Sequence, residues 1–308
     1  MSKNKLPSGF VKNPFLHAYL LLSPDYTVRA QAAKNIAKSM LCTGKAQGSA
    51  ESCGSCSHCI KNDAGTHPDC IYVGKGAKTS VDDVRDIEDE AYLAPNEADC
   101  KVFILEDCDE YNVQSQNALL KIIEEPPANV RFVFTASSAG AVLPTVRSRV
   151  CTLTVDSRSA EDILAQIKRE KPSLDGKELE SVAAFVQNYD KTDINSLDEE
   201  QLIKYKLLAA DYFSGVEKTP VMKFPVKREE LMLCLQVFML TVGELCRAKN
   251  SVKSELSFLS REQISACASK TSIKKAHSLY DILEKGYILA QEYANMNATI
   301  SYLWQSIR

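Results

Sequence analysis

Residues 101–149 read KVFILEDCDEYNVQSQNALLKIIEEPPANVRFVFTASSAGAVLPTVRSR, and this stretch decides the fold class. Val102–Leu105 is an apolar run without polar alternation, which predicts a strand buried on both faces of a parallel sheet. Apolar residues then recur at helical spacing between positions 118 and 123, and Pro126-Pro127 ends that helix. Residues 131–136, RFVFTA, are predicted to form a second buried strand. Strand, helix and strand in this order predict an α/β domain.

The composition of the chain is that of a soluble globular protein of two or three domains. It has 308 residues, of which 45% are hydrophobic and 25% are charged. The formal net charge of −3 argues against bulk electrostatic capture of DNA, although it leaves room for a local basic patch. No apolar run approaches the ~18 residues of a membrane helix, and residues 1–15 lack the apolar core of a signal peptide. We therefore expect a cytoplasmic protein without a membrane partner.

Four of the eleven cysteines are spaced like the ligands of one metal ion. Cys53, Cys56 and Cys59 follow a CxxCxxC pattern, and Cys42 lies upstream of them. Four thiolates can complete the tetrahedral shell of a structural zinc and leave no open position for catalysis. The alternative is four unrelated free thiols, which so dense a spacing in a reduced compartment disfavours. The other seven cysteines are expected to be mostly core thiols.

A strand, a turn and a helix are also predicted near the start of the chain. Residues 17–22 are mostly apolar, and residues 28–41 carry apolar side chains at helical spacing. The turn between them runs from Ser23 to Ala30. In an α/β domain this is the place where a phosphate-binding loop would lie.

Three short blocks within residues 101–149 resemble the core of bacterial clamp-loader subunits, a branch of the AAA+ ATPase family. The blocks are Asn117–Lys121, Glu124–Pro127 and Leu143–Arg149, and their order is that of the family. The cysteine-rich insertion resembles the zinc module of the same subunits, where the zinc is structural. The resemblance is strong over residues 14–155 and implies a RecA-like AAA+ domain.

The turn after the first strand departs from that family. Clamp-loader subunits that bind ATP have a glycine-rich turn that ends in lysine and threonine. Here the glycine positions carry Ser23, Tyr26 and Val28, while Arg29 stands at the lysine position and Ala30 at the hydroxyl position. Val28 disfavours a positive φ, Tyr26 adds bulk where phosphate would fit, and Ala30 cannot ligate magnesium. We therefore expect that ATP is not bound and that Arg29 is solvated, with contact to an anion as the alternative.

The acidic turn after the strand at 102–105 departs from the family as well. Relatives that hydrolyse ATP carry Asp-Glu there, whereas this chain has Glu106-Asp107. The exchange displaces each carboxylate by about an ångström, and misplacement on that scale can cost roughly a hundredfold in rate. The pair is interpreted as the remnant of an ATP site, and solvated acids at a strand end are the alternative.

Arg147-Ser148-Arg149 matches a Ser-Arg-Cys motif of clamp-loader subunits, with Val150 in place of the cysteine. In the family this arginine acts in trans, on ATP bound by a neighbouring subunit, where it stabilises charge on the transferred phosphoryl group. The resemblance assigns that role to Arg149, whose permanently charged guanidinium can contact phosphate through two N–H groups. A surface salt bridge is the alternative for Arg149, and Arg147 is expected to be structural.

The resemblance implies three domains. These are the AAA+ domain at 1–156 with its zinc module at 42–70, a small helical lid at 157–200, and an all-α collar or oligomerisation domain at 201–308. The helical pattern after residue 157 supports this order, and the clearest helix there is predicted at 229–246.

The function implied is that of a non-ATPase stator subunit of the DNA polymerase III clamp loader, with no catalysis of its own. Its partners would be the gamma/tau ATPase subunits, the delta subunit and, indirectly, the sliding clamp and primed DNA. One alternative is an active AAA+ ATPase with an atypical phosphate loop. A second is a free-standing zinc-dependent DNA-binding protein, whose mark would be tight and salt-sensitive DNA binding.

Overall fold

Five parallel strands form one sheet in the N-terminal part of the chain. The strands are β1 Ala18–Leu22, β2 Cys70–Val73, β3 Lys101–Leu105, β4 Val130–Ala136 and β5 Cys151–Thr154. Their order across the sheet is β2-β3-β4-β1-β5, and every pairing is parallel. Because the strands are parallel, the loops that follow β1 and β3 leave the sheet at the same edge. The predicted α/β domain with a parallel sheet is confirmed.

The structure is a computed structural model that describes residues 6–14, 16–46, 49–74, 80–189, 192–252, 255–292 and 295–307. The chain divides into two units, Met1–Arg158 and Ser159–Arg308. The domain limits expected from the family resemblance, including the separation of lid from collar, stay predictions.

Within the described residues, six α-helices accompany the sheet in the first unit. They are α1 Ser8–Lys12, α2 Tyr26–Leu41, α3 Ser57–Ala64, α4 Val81–Ala91, α5 Val113–Glu124 and α6 Pro144–Arg147, with 3-10 turns at Cys108–Glu110 and Ala139–Ala141. Helix α2 begins at Tyr26 rather than at the predicted Val28. The cause is local, because the Asp25 carboxylate accepts a hydrogen bond from the Val28 N–H at 3.3 Å and caps the helix.

The sheet is covered on both faces, as the uniform apolar pattern of β3 predicts. Phe103 and Leu105 belong to a core with residues of α4 and α5, whereas Val102 and Ile104 belong to a second core with residues of α2. All five residues of β3 are buried. Removal of this apolar surface from water, at roughly 25 cal/mol per Å², is the main term that holds the helices against the sheet.

The second unit has only helices as regular structure in its described residues. They are α7 Ala160–Glu170, α8 Gly176–Asn188, α9 Glu199–Phe213, α10 Arg228–Lys249, α11 Arg261–Lys270, α12 Ile273–Gln291 and α13 Met296–Ser306, with a 3-10 turn at Pro220–Lys223. One apolar core includes residues from Ile163 to Ile307. The expectation of a helical C-terminal region is confirmed.

Helix α10 is long and apolar enough to cross a membrane by length and composition alone. Its most apolar window has a mean hydropathy of 1.6, and 61% of that window is buried inside the structure. The expectation that no stretch approaches membrane length was therefore too strict. Burial of the helix in the core of its unit is the arrangement of a central core helix rather than of a span.

Candidate functional site

The loop between β1 and α2 is short, because only residues 23–25 separate the end of the strand from the first helical residue. Tyr26 starts the helix, and Val28 and Ala30 lie in its first turns. Val28 is not among the described residues with positive φ. The positions that the resemblance matched to glycines are therefore partly helical, and the Val28 N–H among them donates to the Asp25 carboxylate of this chain.

Arg29 is the central cation of this loop, and it is buried. Only 3% of the residue is exposed. Its Nε and Nη2 donate to Asp107 Oδ1 at 3.1 and 2.7 Å, and its Nη1 donates to the carbonyl oxygens of Ser23 and Pro24 at 3.0 and 3.1 Å. The expectation of a solvated arginine was wrong, because the cation faces a carboxylate that is far away in sequence. The guanidinium thus lies between the turn after β1 and the turn after β3.

The two carboxylates after β3 are also buried rather than solvated. Glu106 is 4% and Asp107 is 7% exposed. Glu106 Oε2 accepts a hydrogen bond from the Tyr26 hydroxyl at 3.0 Å, and the Asp107 N–H donates to Thr135 Oγ1 at 3.0 Å. Asp107 has a φ of 52°, in the left-handed region that asparagine and aspartate tolerate better than most residues. The acidic pair therefore binds side chains of this chain.

A second buried ion pair, which inspection of the sequence missed, ties down the other end of the loop. Arg158 Nε and Nη2 donate to the two carboxylate oxygens of Asp25, at 2.7 and 3.1 Å. Both side chains are more than nine-tenths buried. Asp25 thus holds Arg158 and caps helix α2, so it fixes the entry to the helix at two points. No sequence signal announced the pair, because the two residues lie 133 positions apart.

The four cysteines of the predicted metal site come together in space. Their Sγ atoms all lie within 4.8 Å of one another, and the Cys53–Cys59 and Cys42–Cys56 pairs are 3.9 Å apart. Four sulfurs around one tetrahedral zinc, with Zn–S of about 2.3 Å, are separated by about 3.8 Å. The cluster can therefore hold a metal ion with little movement.

The surroundings of two of the thiols, Cys53 and Cys56, favour the thiolate form that a metal needs, whereas burial raises the pKa of Cys59 to about 12. Burial acts to raise the pKa of the Cys56 thiol, but hydrogen bonds, among them one involving the Cys59 backbone, outweigh it and lower the pKa to about 5. The pKa of Cys53 is also lowered, chiefly by hydrogen bonding with the Ser55 backbone. A Cβ atom at Gly44 would lie 2.8 Å from Cys53 Sγ, so glycine lets the chain pass close to the cluster.

A histidine pair and a buried aspartate follow the cluster in the chain. His58 Nδ1 and His67 Nε2 are 2.9 Å apart, and the two rings are stacked. Asp69 is fully buried at the start of β2 and accepts four hydrogen bonds from residues 96–98. Sequence inspection saw only a turn here. The aspartate fastens the loop before β3 to the strand next to it.

Asp69 predicts a measurable loss of stability in acid. Burial acts to raise the pKa of its carboxyl, and the donated hydrogen bonds outweigh this effect, so the folded-state pKa lies below the usual value. Its contribution is therefore present above the unfolded pKa of about 3.9 and is lost as the pH falls through the folded pKa. We expect Asp69→Asn to lower the free energy of unfolding at pH 7 by about 1.5–3 kcal/mol. It should also flatten the acid limb of urea unfolding curves, whereas Asp99→Asn, an exposed change in the same loop, should do neither. An unaltered acid limb in Asp69→Asn would contradict the assignment.

Arg149 lies just beyond α6, at the far end of the stretch 101–149. Its Nε forms an ion pair with Glu124 at the end of α5, and its Nη1 donates to Thr145 O at 3.0 Å and Ser148 Oγ at 3.1 Å. The side chain remains 38% exposed. The surface salt bridge weighed as an alternative is therefore present. It leaves part of the guanidinium at the surface, and a trans role for Arg149 stays a prediction.

The fold and this site define an α/β domain of the class that binds ligands at the carboxyl edge of a parallel sheet. In this chain, side chains of the protein itself occupy the loop at that edge. Residues 2–159 match the family model described as DNA polymerase III, delta subunit. Since the match covers more than half of the chain, the protein belongs to this family, and the clamp-loader resemblance is confirmed at that level.

Curated relatives are subunits of the same polymerase. The gamma/tau subunit of Mycobacterium tuberculosis is 36% identical over 136 residues, which are 43% of this chain and 23% of that protein. The tau subunit of Bacillus subtilis is 31% identical over 144 residues, 47% of this chain and 25% of that protein. The chain thus spans about a quarter of the length of these relatives.

Solved structures also match the chain, with TM-scores below 0.5. A DNA polymerase III gamma subunit-related protein from Thermotoga maritima superposes with a TM-score of 0.46 at 16% identity, over 94% of this chain and 95% of that one. The Bacillus subtilis DNA clamp loader delta protein gives a TM-score of 0.37 at 11% identity, over 97% of each chain.

Proposed function

We propose that the chain is the delta-prime subunit of the DNA polymerase III clamp loader and acts as a stator that binds no ATP. The observation that carries the proposal is the buried Arg29–Asp107 ion pair. It joins the two turns that, in the ATP-binding members the sequence resembles, hold the phosphates and the magnesium ion. Asp107 faces a fixed cation of this chain, and Glu106 accepts from Tyr26, so both carboxylates have partners without magnesium.

The short loop supports the same proposal. With helix α2 starting at Tyr26, a bound nucleotide would have to displace that ring and separate Arg29 from Asp107. Breaking a buried pair by removing one partner costs about 3–5 kcal/mol. A nucleotide would have to offset that cost before it gained any affinity. The free energy of ATP would then enter the complex at neighbouring subunits.

Two measurements, one on Arg29→Ala and one on the wild-type chain, test this part of the proposal. We expect the variant to lose about 3–5 kcal/mol of stability in urea unfolding, because it removes the cation that Asp107 faces. We expect no saturable ATP binding by the wild-type chain in calorimetric titrations up to about 1 mM. Micromolar ATP affinity that Arg29→Ala abolishes would overturn the proposal and favour the alternative, an active ATPase with an atypical phosphate loop.

The remaining elements complete the stator. Arg149 would reach ATP bound by an adjacent gamma/tau subunit, and Cys42, Cys53, Cys56 and Cys59 would hold a structural zinc. In the cytoplasm the helical second unit would contact sister subunits, among them delta, while the assembly loads the sliding clamp onto primed DNA. The alternative of a free-standing zinc-dependent DNA-binding protein would require tight, salt-sensitive DNA binding by this chain alone.

A further inference from the structure

The second unit contains a cavity that the stator function does not use. Its volume is about 620 Å³, and it lies among α8, α9, α10, Val252 and residues between 255 and 264. Ligand sites typically have volumes of about 300–1,000 Å³. The cavity is therefore large enough for a small organic molecule.

Two cations at the floor of the cavity have N–H donors without an acceptor in the described residues. Lys206 is 7% exposed, and among the described residues its ammonium has one hydrogen bond, to Ser181 Oγ at 2.6 Å. The Phe258 ring lies 5.6 Å from the same ammonium. An ammonium has three N–H donors. The two that do not bond to Ser181 therefore face only the Phe258 ring and the cavity. Burial lowers the pKa of Lys206, the direction expected for a desolvated ammonium with no counter-ion in contact.

Arg247, at the same floor, also has a hydrogen-bond donor without an acceptor. Its Nε is buried and has no hydrogen-bond partner in the part of the chain that the structure describes. A buried N–H without an acceptor costs about 1–3 kcal/mol, so native proteins rarely leave one empty. Lys206 comes from α9 and Arg247 from the last turn of α10, yet both line the same space.

The carboxylate on the floor does not neutralise these cations at close range. Glu244 accepts hydrogen bonds from the backbone N–H groups of Phe258 and Leu259 at 2.6 and 2.8 Å, so it holds a segment that lines the cavity. Neither Lys206 nor Arg247 forms an ion pair with it in the described residues. The other charged residues that line the cavity are exposed and of both signs, so salt screens their charges. Within the described residues, the two cations therefore have no carboxylate in contact with them.

We propose that this cavity binds a small organic oxyanion, a molecule that carries a carboxylate or a phosphate group, through Lys206 and Arg247. The oxyanion supplies the acceptors that both side chains lack, in charge-assisted hydrogen bonds. Ser181 Oγ accepts one hydrogen bond from the ammonium and holds it in place. The proposal is independent of the ATP question, because every residue in it belongs to the second unit.

Calorimetric titration of the full chain with pyrophosphate and, separately, with citrate tests the proposal at constant ionic strength set by chloride. We expect saturable binding of at least one probe with a Kd below about 1 mM. Lys206→Met and Arg247→Met should each weaken it at least about tenfold. Lys204→Met is the matched control, since Lys204 is exposed on the same helix and does not line the cavity. It should leave the Kd unchanged.

The outcomes separate the ligand chemistries and can overturn the proposal. Binding of pyrophosphate alone indicates a phosphate-bearing ligand, and binding of citrate alone indicates a carboxylate. Absence of saturable binding with both probes overturns the proposal, as does binding that both variants leave intact. If circular dichroism shows that Lys206→Met does not fold, Arg247→Met tests the proposal by itself, because Arg247 is only half-buried.

Discussion

Replacement of Arg149 by alanine should slow ATP turnover by the reconstituted clamp loader without preventing its assembly. An arginine that acts in trans on a phosphoryl group is worth about 10³–10⁵ in kcat at the site it serves. Total ATP turnover should therefore fall by almost the full contribution of the ATP site that Arg149 serves. The folded chain itself should be almost unaffected, because the Arg149–Glu124 pair is exposed and contributes at most about 1 kcal/mol.

Two further variants separate the trans role from the salt bridge. Glu124→Gln removes the ion pair but keeps the guanidinium, so turnover should stay near the wild-type value. Arg149→Lys keeps the charge but loses the planar fork, so it should restore only part of the rate. Steady-state ATP hydrolysis with primed DNA and clamp measures the rate, and co-elution on size exclusion measures assembly. Unchanged turnover in an intact Arg149→Ala complex would refute the trans role.

Loss of one cluster thiol should remove the metal and unfold its module. We expect the purified protein to contain one equivalent of zinc by elemental analysis and Cys59→Ser to contain almost none. Structural zinc contributes about 10–16 kcal/mol of apparent binding free energy in isolated zinc-finger peptides, and much of that is folding free energy. Residues 49–64 should then become sensitive to protease, because Cys59 is fully buried where α3 joins the cluster.

Cys100→Ser is the matched control for the metal prediction. Cys100 is a half-buried thiol outside the cluster, so its replacement should leave zinc content and protease resistance unchanged. Chelation of the wild-type protein should reproduce the Cys59→Ser result and be reversed by zinc. Wild-type protein that is fully folded without bound metal would contradict the structural role.

The other seven cysteines test the expectation that cysteines outside the cluster are mostly buried core thiols. Cys108, Cys234 and Cys267 are buried as expected of core thiols, whereas Cys70, Cys100, Cys151 and Cys246 are only partly buried. Burial raises the pKa of Cys70 to about 11 and that of Cys267 to about 11, so both stay protonated at neutral pH. A cysteine's preference for the interior predicts a tendency, and the packing of each site decides the outcome.

Local rules of the chain were enough to predict the sheet, the helical second unit and the cysteine cluster. Strand β3 is apolar at every position between its ends, and a strand of that kind is stable only when both faces are covered. The four cysteines are close enough in sequence that tight turns bring their sulfurs together. These features depend on residues that are close together in the chain, so they can be predicted from a single sequence.

Tertiary structure alone decided what the residues of the turn between β1 and α2 do. Arg29 and Asp107 are 78 positions apart, and Asp25 and Arg158 are 133 apart, so no spacing rule pairs them. Parallel strands bring the turns after β1 and β3 to one edge of the sheet, and there a buried charge must find a partner of opposite sign. The sequence by itself determined that residues 23–30 contain no glycine and no lysine. The fold determined that Arg29 binds Asp107 instead of solvent.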